Sequence, residues 1–235
     1  MMTGFIPSRA DVDRYLRLRN LSYRISNELV RQIPKAAFDG VAEALGMLHD
    51  DCLFLESEDM SAVLADCCIY DWYEDGQNVV ERYAAAHPAP AGSDERLLLN
   101  AFLQAQYRVL DVGSVVPGAG VDCTDILTNE DLFVMDVGLS RNTHWDHMLA
   151  SRTIPLGDFW MTGGAGLPMV PRAGFVDTVR SFGKSRPEGF EGPGGLTMMI
   201  VRACLAAGAA EHTAYAKPKP REPRHFTRRN RHRRQ

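Results

Sequence analysis

The chain has 235 residues, enough for one large domain or two small ones and enough to bury about 70% of its unfolded surface without a disulfide or metal staple. With 45% hydrophobic and 24% charged residues it is not collagen-like, wholly disordered or a coiled coil. No run approaches the ~18 apolar residues of a membrane span, and residues 1–11 lack the apolar centre of a secretory signal.

The net charge of −4 conceals blocks. Residues 1–35 carry seven Lys/Arg and three Asp/Glu, whereas residues 36–81 carry twelve acids and no base. Residues 82–216 hold ten bases and fourteen acids, and residues 217–235 hold nine bases against Glu222 alone. The ends and the middle therefore favour opposite partners. Cys52, Cys67, Cys68, Cys123 and Cys204 are odd in number and form no C-x-x-C. They are expected to be reduced, buried thiols of a cytoplasmic protein.

Leu18, Leu21, Ile25 and Leu29 recur at three- and four-residue steps, which predicts a first helix over about 10–32, capped by Ser8 or Asp11 and stopped by Pro34. A second helix over 35–45 ends at Gly46. Leu53, Phe54 and Leu55 form a short strand or buried connector. Ser57 caps a third helix that runs to about Tyr73, a shorter one covers 78–86, and Ser93 opens a fifth through about Tyr107. The period then changes from helical to alternating. Strands are expected at 108–116, 120–127, 132–137, 149–153 and 159–162, joined by tight turns in an antiparallel meander that curls into a small barrel ended by Gly163–Gly166. Helices over 171–182 and 196–207 follow, and from about Glu211 the chain offers nothing to bury.

This pattern predicts an α+β protein with a helical region at 1–106 whose acidic segment is 36–81, a β-meander or small barrel at 107–166, C-terminal helices at 167–210 and a disordered basic tail at 211–235. The segments "LSYRIS", "DCCIYDW", "VVERY" and "DILTNEDLFVMDVGLS" resemble a family of bacterial proteins without assigned activity, over roughly residues 19–168. The resemblance implies this architecture and no particular chemistry.

The strongest functional signal is the tail. Arg221, Arg224, Arg228, Arg229, Arg231, Arg233 and Arg234 can each fork hydrogen bonds to phosphate, and Phe226 offers a surface on which a base can stack. They predict a contact with RNA, DNA or a nucleoprotein, against the alternatives of a solubilising tail or one that docks on an acidic protein surface. The acidic segment in turn suits a basic protein partner, including this chain's own tail. Arg17, Arg24 and Arg31 lie seven apart on one helix face, where ordinary pairing with Asp13 and Glu28 accounts for them.

A metal-dependent hydrolase is the competing reading, with Glu56, Glu58, Asp59, Asp66, Asp71, Glu74 and Asp75 as hard oxygen ligands, although no D-x-D-x-D-G loop is present. His144 and His147, with Cys123 or Asp136, lack a recognisable zinc spacing. Gly183-Lys184-Ser185 ends like a Walker loop, but Thr178 stands where its first glycine belongs, and the segment follows a helix rather than a strand. Gly163–Gly166 lacks the Lys and Ser/Thr that hold phosphate. Cys67-Cys68 is expected on a helix with one thiol buried. No catalytic residue, cofactor, metal ligand or membrane contact is assigned from the sequence.

Overall fold

The computed structural model describes residues 4–49, 52–53, 55, 57–142, 148–170 and 173–209. Helix α1 (Arg9–Arg31) starts in a capping box, with the Ser8 side chain accepting the Asp11 N–H at 3.2 Å and the Asp11 carboxylate accepting the Ser8 N–H at 2.8 Å. Its buried stripe is Tyr15, Leu18, Ser22, Ile25 and Leu29; Leu21, expected on that stripe, is only half-buried. Pro34 directly precedes α2 (Lys35–Leu45), which closes on Gly46 in the left-handed region. A two-strand hairpin, β1 (Leu48–His49) with β2 (Cys52–Leu53), leads to α3 (Glu58–Tyr70), capped by Ser57 and shorter than its pattern suggests. Asn78 and Ser93 cap α4 (Val79–Ala86) and α5 (Asp94–Leu103). Helix α5 stops earlier than expected because the chain turns into the sheet at Gln106.

Five strands form the barrel: β3 (Gln106–Val116), β4 (Gly120–Asp125), β5 (Asp131–Met135), β6 (Met148–Pro155) and β7 (Trp160–Met169), in the order β3-β4-β5-β7-β6. Neighbours are antiparallel except for the closure, a parallel bridge between Val134 of β5 and Trp160 of β7. A short helix, α6 (Leu139–Asn142), lies between β5 and β6. The α+β class with its small barrel stands as read. The glycine run does not end the barrel, however, since Gly163, Gly164 and Gly166 lie inside β7.

Side chains alternate across each strand and sort into separate cores. Leu110, Val112, Val121, Cys123, Leu132, Val134 and Leu149 fill the barrel beside Trp160. The opposite pleat of β3, β6 and β7 (Tyr107, Val109, Met148, Ala150, Ala165, Leu167) packs on α2, α3 and α8 (Gly195–Ala206). Phe133, Met135, Ile154 and Met161 pack on α1, α4 and α5. Helix α7 (Phe175–Phe182), shorter at its start than expected, packs on α8.

Candidate functional site

Strand β6 is buried on both faces, yet it carries Arg152, 2% exposed. A charge so placed needs charged partners, and the helical layer supplies them. Asp66 projects from the packed face of α3, and Asp71 follows its last turn. Arg152 donates through Nε (3.1 Å) and Nη2 (2.8 Å) to Asp66 Oδ2, and through Nη2 to Asp71 Oδ2. Thr197 on the first turn of α8 donates to Asp71 Oδ1 at 2.9 Å. The guanidinium lies 4.5 Å from the ring centre of Tyr70 and 5.4 Å from that of Tyr107. Two glycines allow this convergence. A Cβ on Gly163 would stand 2.9 Å from that of Arg152, and one on Gly194 (φ +84°) would stand 2.3 Å from the Asp71 carbonyl oxygen.

The electrostatics fix the charge states. Burial lowers the Arg152 pKa, but Asp66 and Asp71 outweigh it and hold the guanidinium charged. Burial pushes Asp66 up, against the pull of Arg152. Burial, with Asp71 and Asp66 adding to it, drives the Cys67 thiol well up, and burial pushes Cys68 up to about 12. Ligand atoms of Asp66, Cys67 and Asp71 lie within 4.8 Å of one another, which is compact enough for a metal. The donor set does not favour one. Both carboxylates are already bonded to Arg152, which a cation would have to displace. The cluster joins helical layer to barrel.

Beside it opens a cleft of about 790 Å³. Its floor is the start of β3, its walls are the β4–β5 turn and the first turn of α8, and its rim is the end of α7. Arg108, 5% exposed, lies in this lining. It donates through Nη1 to Asp125 (2.9 Å) and Glu130 (2.6 Å) and through Nη2 to Gln106 (3.1 Å), while its guanidinium lies 4.7 Å from the ring centre of Trp160. Its Nε–H has no acceptor among the described residues. Arg180 donates to the Ile126 carbonyl at 2.9 Å, and neither it nor Lys184 has a carboxylate partner among the described residues. The Lys184 and Ser185 amides are bonded to Ser181, so the apparent Walker ending is a helix C-terminus and not a phosphate loop.

A second polar groove, about 400 Å³, lies where α1 meets β7, against Gly164 and Gly166. Thr162 donates to Asp136 Oδ2 at 2.6 Å, and Arg19 donates to the Thr162 carbonyl. Burial, assisted by the Asp136 charge, pushes the nearby Tyr15 up to about 12.

Residues 9–170 match the family described as a family of unknown function, DUF7986. The chain belongs to that family. No curated protein and no solved structure matches it. The DUF7986 span contains Asp66, Asp71, Arg108 and Arg152, whereas Arg180, Lys184 and Thr197 lie beyond it.

The sequence-assigned arginines Arg221, Arg224, Arg228, Arg229, Arg231, Arg233 and Arg234 lie outside the described residues, as do Glu56, His144 and His147. Cys123 is sealed in the barrel, and Asp136 is held by Thr162 and by the Leu139 N–H. Both Cys67 and Cys68 are buried, not one, and Cys52 is exposed, against the expectation of five buried thiols. Arg17 pairs with Asp94 at 2.7 Å rather than Asp13, and Glu28 pairs with Arg31 rather than Arg24. Of the twelve acids in 36–81, Asp59, Asp66 and Asp71 are buried and so withheld from any partner surface. Sequence reasoning passed over Arg152, Arg108, Thr197 and Arg180. The first had a signal: Arg152 stands in an apolar strand and Asp66 on an apolar helix face, and each position demands an opposite charge.

Proposed function

We propose that this DUF7986 protein is a non-enzymatic binding protein whose C-terminal arginines contact RNA, DNA or a nucleoprotein in a reducing, cytoplasmic setting. The observation that carries the reading is nine Lys/Arg against one acid in residues 217–235. Such a segment releases condensed counterions from a phosphate backbone, which is the main source of sequence-independent affinity. The body is consistent with binding: its buried Asp66 and Asp71 are paired with Arg152, and burial holds the Cys67 thiol protonated.

The test is salt-dependent binding of single- and double-stranded oligonucleotides to the full chain and to a variant with Arg228, Arg229, Arg231, Arg233 and Arg234 changed to Gln. The parent should lose affinity with a slope of about 0.7–0.9 in log K per phosphate contacted, and the variant should lose most of the slope and the affinity. Unchanged binding by the variant refutes the assignment.

A metal-dependent hydrolase remains the second reading, favoured only by the compact grouping of Asp66, Cys67 and Asp71. It requires a cation to displace Arg152. Stoichiometric metal after purification, with turnover abolished by Asp71→Asn, would support it.

A further inference from the structure

We propose that the cleft between β3, the β4–β5 turn and α8 binds a phosphate monoester of mononucleotide size. The acceptors of the cleft are engaged internally. Asp71 takes bonds from Thr197 and Arg152, and Asp125 takes bonds from Arg108 and from the Leu127 N–H at 2.9 Å. Its donors are only partly engaged: Arg180 is bonded to the Ile126 carbonyl and to Asn129, and Arg108 is bonded through Nη1 and Nη2. The buried Arg108 Nε–H has no partner among the described residues. On the first turn of α8 the Gly195 and Met198 amides are bonded to the Gly192 and Gly194 carbonyls, while the amides of the cleft-lining Leu196 and Thr197 have no backbone acceptor among the described residues. At the rim, Arg180 and Lys184 bring charges that no carboxylate of the described residues neutralises.

Partly engaged donors with occupied acceptors select an anion. A helix N-terminus, a guanidinium and an ammonium in the lining of one cleft suit the several oxygens of a phosphate dianion better than the two of a carboxylate. The volume of about 790 Å³ lies in the range of small-molecule sites, roughly 300–1,000 Å³. Leu127, Leu196 and Ala105 provide apolar wall for the body that carries the phosphate. This site is independent of the tail. Its ligand is either a free mononucleotide or the 5′-phosphorylated end of a strand, which share one chemistry.

The experiment titrates the full chain with adenosine 5′-monophosphate and with adenosine by calorimetry. Monophosphate should bind, and adenosine should bind at least about tenfold more weakly. Arg180→Gln with Lys184→Gln should weaken the monophosphate by about tenfold or more, as expected for charge-assisted hydrogen bonds. Both positions are exposed, and Arg180→Gln gives up one bond to the Ile126 carbonyl, so the unliganded thermal midpoint should fall by no more than about 6 °C, and the Arg180→Lys, Lys184→Arg pair should retain most of the binding. Oligonucleotides with and without a 5′-phosphate separate the sources. Added affinity from the phosphate, lost in the double variant, identifies a strand end; no difference identifies the free nucleotide. The five-arginine tail variant should keep its monophosphate affinity, so a failed tail and a failed cleft are distinguishable. The proposal is overturned if monophosphate does not bind, binds no better than adenosine, or binds the Gln pair as tightly as the parent.

Discussion

Arg152→Met should be the most damaging single substitution in the buried cluster, and its cost follows from the partners left behind. Methionine has a volume close to the arginine stem, so packing against Gly163 and Tyr70 is largely kept. What disappears are two bonds to Asp66 and one to Asp71, in a place where all three side chains are 7% exposed or less. Removing one partner of such a pair costs about 3–5 kcal/mol, because charges remain buried without compensation. For a chain of this size that is a fall of about 6–20 °C in the thermal midpoint, at about 2–4 °C per kcal/mol. The pH dependence gives an internal check. Burial already raises Asp66 while Arg152 pulls it down, so the substitution raises it further above the unfolded value of about 3.9. A carboxyl raised in the folded state binds its proton more readily there than in the unfolded chain. The stability lost at pH 7 is therefore regained as the pH falls through the folded pKa. Urea unfolding of variant and parent at pH 7 and pH 5 measures both effects, and their difference should shrink at pH 5. Adding Asp66→Asn and Asp71→Asn should recover most of the loss. A deficit below about 1 kcal/mol at pH 7, or one that grows on acidification, would refute the assignment of the cluster as a charge-compensated joint.

Two other outcomes follow from the packing. A thiol reagent at pH 8 should modify Cys52 rapidly in the native protein and Cys67, Cys68, Cys123 and Cys204 only in denaturant, since these four are buried and held protonated; rapid modification of more than one thiol in the native protein would contradict the core described. Gly163→Ala should cost about 1–3 kcal/mol in urea unfolding, because its Cβ would meet Arg152 at 2.9 and 3.3 Å and Asp66 Oδ1 at 3.5 Å, whereas Gly92→Ala, which meets no atom within 4 Å, should show only the strain of its positive φ.

Much of the fold was legible because the local signals agree with the tertiary structure. Ser8, Ser57, Asn78 and Ser93 each cap a helix that the sequence pattern announces, and the change of period read after about Tyr107 marks the barrel, whose first strand starts at Gln106. The closure was not legible. Placing β7 between β5 and β6 depends on a single parallel bridge between Val134 and Trp160, a non-local pairing that no alternation encodes. The extent of β7 was misread for a related reason. Glycine normally weakens a strand, but Gly163 is needed where the backbone passes the stem of Arg152, and Gly166 where a Cβ would lie 3.1 Å from Leu149. The partner that explains each glycine lies on another strand.

The candidate site was less legible still, and the reason is one of counting charge by segment. Over residues 36–81 the twelve acids read as a surface for basic partners. Yet Asp66 and Asp71 both pair with one arginine, 86 and 81 residues away, so much of their charge is met inside the protein. The same applies to Asp125, which together with Glu130 compensates Arg108. With these four carboxylates engaged by two arginines, Arg180 and Lys184 line the cleft without a carboxylate partner among the described residues, two cations that looked incidental in the sequence. Lys184 drew notice only through a Walker-like ending that its helix-terminal backbone rules out. Its role as proposed here depends on where α7 ends relative to α8 and the β4–β5 turn. Chemistry in this protein is thus written in which charges pair across the fold and which, like Arg180 and Lys184, have no carboxylate partner among the described residues.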